Sequence, residues 1–423
     1  MILKKAYQFL QLKVVEPFLL PFFFSAERKT EGARDWKVLS SLKPLQKNPR
    51  RVWLHAASVG ELETIWPLIE RLGEQGYELI LSVFSESAQG SLLKLRKKLA
   101  EKNASVLFCG YSPWEGKWKR ALGSLNPHLF ITAKYEAWPE LWMALQETDI
   151  PLLIVSARAR KSLRVAKGIC ELLQGNLPRL ILFSCNASDT SELQELFPLA
   201  QIEMVGEPRW ERVSERAQVG NLRARELIQY FHSAQRPWGI LGSIWQEDLN
   251  QMASIFQDLP GTLWVVPHRI DLDTLHAIET FLRMHHKTPI RTQSLDLKQN
   301  PPTLNSKACI LVDEIGFLSE LYSVADWAYV GGGFGAGLHS TIEPAIHGIP
   351  VAGGPTKSEQ FSEVQELGKT GQLQILRKSF DFAQWSQALQ EQSFYGKKQT
   401  WKEESQRRMG ATQKIIQAIE NLR

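Results

Sequence analysis

Two stretches of this 423-residue chain carry residue types that can do chemistry. The first is Ser58-Val-Gly-Glu61, where a carboxylate follows a strand-like run from Arg51 to Ala56. Ligands of open α/β sheets bind at the carboxyl ends of parallel strands, and a carboxylate there suits a general base toward a hydroxyl. Ser58-x-x-Glu61 is also the spacing of a capping box, in which Glu61 only closes a helix start. The second stretch is Tyr329 to Pro355, with glycines at 331, 332, 333, 335 and 337. No side chain there keeps a ligand from the backbone. Its pattern predicts a strand over 326–330, a helix opening near Ser340 and stopped by Gly348, and a strand over 349–352. N–H groups at such a helix start bind anions, so the shape suits a phosphorylated ligand. Ser340-x-x-Glu343 repeats the capping-box spacing.

Other candidates stand at predicted strand ends. Lys134 and Glu136 follow the strand 128–132; they pair with each other or line a polar cleft. Arg158, Arg160 and Lys161 follow the strand 151–155. They form a solvated loop or a cationic cluster for phosphate or carboxylate. Asp271-Leu-Asp273 has the look of a metal-binding DxD, but its position favours a helix cap. Gly331-x-Gly333-x-x-Ala336 fits a loose dinucleotide fingerprint. A NAD site needs an acidic residue ~20 positions on, ending the next strand, where Gly353-Gly354-Pro355 stands instead.

The elements that must hold these residues alternate strand and helix along the chain. Leu62, Ile65, Trp66, Ile69 and Leu72 share one helical face after Glu61. Further strands are expected over 78–84, 104–108, 180–184, 202–205, 238–242, 262–266 and 309–312. Residues 25–50 read as polar loop. The pattern restarts after Gly206-Glu-Pro-Arg-Trp210, which predicts an amino-terminal domain over 25–205 and a second over 206–395. A charged helix is expected over 396–423.

Composition narrows the class. Hydrophobic residues make up 43% and charged residues 22%, as in a globular protein. The net charge of +5 suits an anionic substrate or an anionic membrane surface. The basic residues are scattered, which argues against nucleic acid. Cys109, Cys170, Cys185 and Cys309 have no metal-ligand or CxxC spacing, as expected in a reduced compartment. No stretch of ~20 apolar residues spans a bilayer. Residues 1–24 combine Lys4, Lys5 and Lys13 with Phe18, Leu19, Leu20 and Phe22 to Phe24. They read as a monotopic anchor or as a packed arm.

Taken together, His55-Ala-Ala-Ser-Val-Gly-Glu61, Glu136-Ala-Trp-Pro139, Ala157-Arg158, Gly242-Ser243, Ile315-Gly316 and Val330 to Ala345 with Gly354-Pro355 resemble the 3-deoxy-D-manno-octulosonic acid (Kdo) transferase family. The resemblance runs from about residue 51 to 376. It implies an α/β GT-B fold, two Rossmann-like domains facing a central cleft, and transfer of Kdo from CMP-Kdo to a lipid A precursor with inversion. It implies Glu61 as general base. His268 and Arg269 would meet the CMP phosphate or the Kdo carboxylate. Gly332, Gly333 and His339 would hold the nucleotide phosphate, with Glu343 near the ribose and Ser243, Trp245, Gly316 and Ser340 in the same site. Ser58, Gly60, Lys134, Glu136 and Arg158 would line the acceptor side. GT-B enzymes need no metal at the reacting phosphate, and no cofactor is expected. The implied location is the cytoplasmic face of the inner membrane, monotopic or peripheral. Departures are local: Ile244-Trp245 replaces the common Thr-His, Pro267-His268-Arg269 shortens Pro-Arg-His-Pro-Glu-Arg, His339-Ser340 replaces His-Asn, and Lys134-Tyr135-Glu136 replaces Glu-Thr-Glu. A GT-B enzyme with another nucleotide-sugar donor, a nucleotide-sugar epimerase and a non-catalytic membrane-associated binding protein are the competing readings.

Overall fold

The computed structural model describes residues 25–302 and 308–422 except 115, 135 and 175. Residues 1–24, read above as anchor or arm, lie outside the described residues. The chain forms two compact units; one ends at Arg212 and resumes at Met409, and the other is Val213–Arg408.

The first unit has seven parallel strands: β1 (Arg51–Ala56), β2 (Glu78–Val83), β3 (Val106–Tyr111), β4 (Leu129–Ala133), β5 (Leu152–Val155), β6 (Leu180–Ser184) and β7 (Gln201–Met204). Their order is β3-β2-β1-β4-β5-β6-β7. Strands β1, β4, β5 and β6 are buried along their whole length, so they read as apolar runs rather than alternating ones. Successive side chains leave opposite faces: Val52 and Leu54 enter one core, Trp53 the other. The helix Val59–Glu74 buries Leu62, Ile65, Trp66, Ile69 and Leu72 against the first core. Each such aliphatic contributes about 1.5–3 kcal/mol, against about 0.5–2 kcal/mol for an N-cap. Packing therefore fixes this helix, and the cap only trims its start.

Two expectations change here. Residues 25–50 are not all loop: Ala26–Ser41 is a helix, with the Ser25 hydroxyl accepting from the Arg28 N–H at 3.1 Å. It docks through Leu39, which is fully buried in the second core with Trp36 packed beside it, and through two buried charged side chains. Buried Asp35 accepts the Tyr111 N–H at 2.8 Å, and the Arg28 guanidinium lies 3.7 Å from the Tyr111 ring centroid. Residues 396–423 are not one helix either. Lys398–Arg407 stays with the second unit, Gly410 turns with φ +96°, and Ala411–Glu420 returns to the first. There Ile415, Ile416 and Ile419 enter the same core as Val59–Glu74, and Glu211 accepts the N–H groups of Gly410 and Thr412, each at 3.0 Å.

The second unit repeats the plan with β8 (Trp238–Ile244), β9 (Thr262–Pro267), β10 (Thr288–Arg291), β11 (Ala308–Leu311), β12 (Trp327–Val330), β13 (Val351–Gly353) and β14 (Leu373–Ile375). All are parallel, in the order β10-β11-β9-β8-β12-β13-β14. In each unit the strand order reverses direction near its middle, beside β1 and β4 in the first and beside β8 and β12 in the second, where β10 and β11 also exchange places at one edge. Such switch points open a crevice at the strand carboxyl ends.

Candidate active site

In the first unit, β1 and β4 deliver the candidates to one switch point. Ser58 caps the helix Val59–Glu74, and both halves of the capping box form. Glu61 is only 5% exposed. Its Oε2 accepts the N–H groups of Ala57 at 2.7 Å and Ser58 at 3.1 Å, which leaves Oε1 outside these bonds. Gly60 carries no side chain where a Cβ would stand 3.7 Å from the Lys134 ammonium. Burial raises the Glu61 pKa, while Lys134 and the two N–H groups pull it down. Lys134 itself takes a left-handed φ of +63° at the end of β4, a conformation that costs a non-glycine residue roughly 1–3 kcal/mol.

Glu136 follows on the same loop and accepts the Trp138 indole N–H at 2.7 Å. Its residue as a whole is half-exposed, but the carboxyl is deep enough that burial, and then the Glu61 charge, push its pKa up to about 8. Two carboxyls thus share one strand-end region, and burial raises both pKa values; at Glu61 the Lys134 charge and the two amides oppose the rise, while at Glu136 the Glu61 charge adds to it. The charge of Lys134 acts on Glu61. Arg158 is neither loose nor solvated. Its Nε donates to Asp189 at 2.9 Å, and both side chains are nearly buried.

In the second unit, β8 and β12 bring together Ser243, Trp245, Gly332, Gly333 and His339, and the loop after β9 adds His268 and Arg269. The His268 ring stacks on Trp245 at 4.7 Å and on His339 at 4.4 Å between centroids. The Trp245 indole N–H donates to His339 Nε2 at 3.0 Å. The Arg269 guanidinium stands 5.6 Å from the Trp245 ring centroid. Burial lowers both histidine pKa values, with Arg269 adding to the effect on His268, and His268 helping to bring His339 to about 4. Both rings are therefore neutral at pH 7, and Arg269 supplies fixed charge beside them.

The glycines have defined work. Gly332 has φ +86°, and a Cβ there would stand 2.8 Å from His339 Cδ2. A Cβ on Gly333 would collide with the Gly354 backbone. Sequence reasoning passed over Asp248, which ties this loop together. Fully buried, it accepts from Gly332 N–H at 2.7 Å, Trp245 N–H at 3.1 Å and the Tyr329 hydroxyl at 3.2 Å. Its signal was the Trp245-x-x-Asp248 spacing at a helix start. Lys357 was also missed; its ammonium donates to the Ala336 carbonyl at 2.8 Å.

Two expectations, the helix opening at Ser340 and its capping box with Glu343, are corrected, and the cap expected at Asp271 is found. No long helix opens at Ser340. The helix is the single turn Ile342–Ala345, with Thr341 at its start and no side-chain cap. Leu338 N–H bonds to Thr356 C=O and His339 N–H to Gly331 C=O, which keeps the chain extended up to Ser340. Glu343 thus closes no capping box; burial raises the Tyr322 phenol pKa, and the Glu343 charge adds to that rise. Gly316 stands apart from the ring stack: a Cβ there would meet only Asn221, at 3.5 Å. Asp271 is a cap, accepting the Thr274 N–H at 3.0 Å.

Comparison with known proteins follows this geometry. A family model described as 3-deoxy-D-manno-octulosonic-acid transferase (kdotransferase) matches residues 33–212. The chain is 24% identical to the 3-deoxy-D-manno-octulosonic acid transferase of Chlamydia muridarum, over 80% of this chain and 78% of that one. It is 24% identical to the enzyme of the same name from Aquifex aeolicus, over 72% and 76%. A bifunctional glycosyltransferase/methyltransferase of Fusobacterium nucleatum is 24% identical, and the match spans 79% of this chain but only 51% of that protein. Among solved structures, a glycosyltransferase from Rickettsia africae superposes with a TM-score of 0.56 at 11% identity, covering 89% of this chain and 99% of that one. A UDP-GlcNAc 2-epimerase from Neisseria meningitidis gives 0.56 at 10% identity, over 88% and 100%. These likenesses show the fold, which is GT-B.

Proposed function

The chain belongs to the Kdo transferase family of glycosyltransferases, and on that premise we propose that it moves Kdo from CMP-Kdo to a hydroxyl of a lipid A precursor. Glu61 takes the proton of the acceptor hydroxyl as the oxygen attacks the anomeric carbon of Kdo. The bond from that carbon to the phosphate oxygen breaks, CMP leaves with the electron pair, and the anomeric centre inverts. Arg269, the glycine-loop backbone from Gly333 onward, and the His339 ring meet the charge that develops on the leaving phosphate. Glu136, Lys134, Ser58 and Gly60 belong to the acceptor side. The observation that carries the reading is Glu61: a buried carboxylate at a switch point, with one oxygen held by two amides and a lysine beside it.

The reaction is placed at the cytoplasmic face of the inner membrane, with an anionic surface as partner. Among the described residues no helix is long and apolar enough to cross a membrane. Another nucleotide-sugar donor is the competing reading, because Ile244-Trp245 and His268-Arg269 depart from the common family pattern around the donor. Incubation with CMP-Kdo and tetraacylated lipid A precursor, read by mass spectrometry of the lipid, tests the proposal. A gain of one or more Kdo units is expected. An unchanged lipid from folded protein that binds UDP-sugars but not CMP-Kdo would overturn it.

A further inference from the structure

The ring stack of the second unit contains a directional constraint. An indole nitrogen can only donate. The 3.0 Å bond from Trp245 Nε1 to His339 Nε2 therefore requires a lone pair on that nitrogen. A neutral imidazole with its lone pair on Nε2 carries its proton on Nδ1. The Nε2–Cδ2 edge of His339 faces Trp245 and Gly332, since a Cβ on Gly332 would stand 2.8 and 3.0 Å from those two ring atoms. Nδ1 belongs to the other side of the ring, and among the described residues no hydrogen bond is formed to it.

The donor of that bond is itself immobilised. Buried Asp248 holds the Trp245 backbone N–H at 3.1 Å and the Gly332 N–H at 2.7 Å, so one carboxylate ties the backbone that carries the indole to the glycine loop. His268 is packed against both other rings, 4.7 Å from Trp245 and 4.4 Å from His339 between centroids.

We infer that Trp245 is a positioning residue that fixes His339 as its Nδ1–H tautomer, so that His339 offers a neutral hydrogen-bond donor to an anionic oxygen of the bound nucleotide. The second half of this statement rests on the donor site proposed above; the first half does not. The division of labour follows. Arg269 supplies the charge, and His339 supplies direction without charge. A neutral donor of fixed orientation pays no reorganisation cost when the leaving phosphate gains charge. It also retains less affinity for released CMP than a second cation would.

The test uses the full chain with nitrogen-15 in its histidines and long-range proton–nitrogen spectra at neutral pH. In the wild type, His339 should show a protonated Nδ1 and a bare Nε2. Trp245→Phe keeps a ring for stacking but has no N–H, and it should give mixed tautomers with about tenfold weaker CMP binding. Trp245→His restores a ring N–H and should recover most of both signals. Adding CMP to the wild type should move the Nδ1–H resonance. A protonated Nε2 in the wild type, or an unchanged tautomer in a folded Trp245→Phe, overturns the inference. If CMP leaves His339 unmoved but UDP moves it, the inference stands and the CMP-Kdo reading fails. If CMP, UDP and inorganic phosphate all leave it unmoved, the donor role of His339 is overturned.

Discussion

The two switch points share one backbone device and serve opposite electrostatic demands. In the first unit the strand ends gather carboxyls, Glu61 and Glu136, with Lys134 to moderate them. In the second they gather bare glycine backbone, neutral rings and Arg269. The first arrangement suits the proton transfer proposed for it, and the second suits the anion proposed to bind there. The comparison teaches that a doubly wound sheet sets only the place of a site, while the few residues after two strands set its charge.

The comparison breaks most sharply at Glu61. Glu61→Gln keeps an acceptor oxygen for the two amides, so the capping box and the fold should survive. Turnover should fall about 10²–10⁴-fold, the range of general-base loss. A folded Glu61→Gln enzyme with near-wild-type turnover would make the first switch point merely structural.

On the second side, Gly333→Ala forces a methyl into the Gly354 backbone. Overpacking of this kind costs roughly 1–3 kcal/mol, which should weaken CMP binding by about tenfold or more in calorimetry. Gly335→Ala is the matched control, because its Cβ would meet only the Glu247 side chain, at 3.6 Å. Its CMP affinity should stay near wild type. Equal losses in both variants would remove the specific role of the Gly333–Gly354 contact.

A smaller effect sharpens the contrast between the two carboxyls. The Glu136 pKa is raised in the folded state, so its proton stabilises the fold below the ordinary carboxylate range. That stability is lost as pH rises toward about 8. Glu136→Gln should therefore melt progressively higher than the wild type as pH goes from 5 to 9, with little difference at 5. A gap that narrows over this range would reverse the sign. Because the Glu61 charge helps raise Glu136, Glu61→Gln should also lower the pH at which Glu136 titrates.

Much of this plan was legible in the residues, and the reasons differ by element. Twelve of the fourteen strands were expected within a few residues of their places, most because buried parallel strands betray themselves as apolar runs, though β7 is mostly exposed. The short strands β10 and β14 were not; their residues are half-exposed or exposed at several positions, so no apolar run marks them. The helix Ala26–Ser41 was hidden because its inward face mixes charged Arg28 and Asp35 with only Trp36 and Leu39, too few apolar residues to set a helical period. Spacing found Ser58-x-x-Glu61 correctly as a capping box. The same spacing misled at Ser340-x-x-Glu343, where bonds to Thr356 and Gly331 hold the preceding residues extended. The Trp245-x-x-Asp248 spacing marked Asp248 only as a helix start, because its weight in the site comes from partners after β8, on β12 and in the glycine loop.

The return of the helix Ala411–Glu420 to the first unit has a consequence for biosynthesis. During translation, the helix that bears Glu61 emerges long before Ile415, Ile416 and Ile419, and the whole second unit is made in between. Its core stays open on one side for all that time. The helix that bears Glu61 gains its final packing only after the whole second unit has left the ribosome. Premature termination anywhere in the second unit thus yields a first unit with an unfinished core, a natural substrate for proteolysis rather than a free-standing domain.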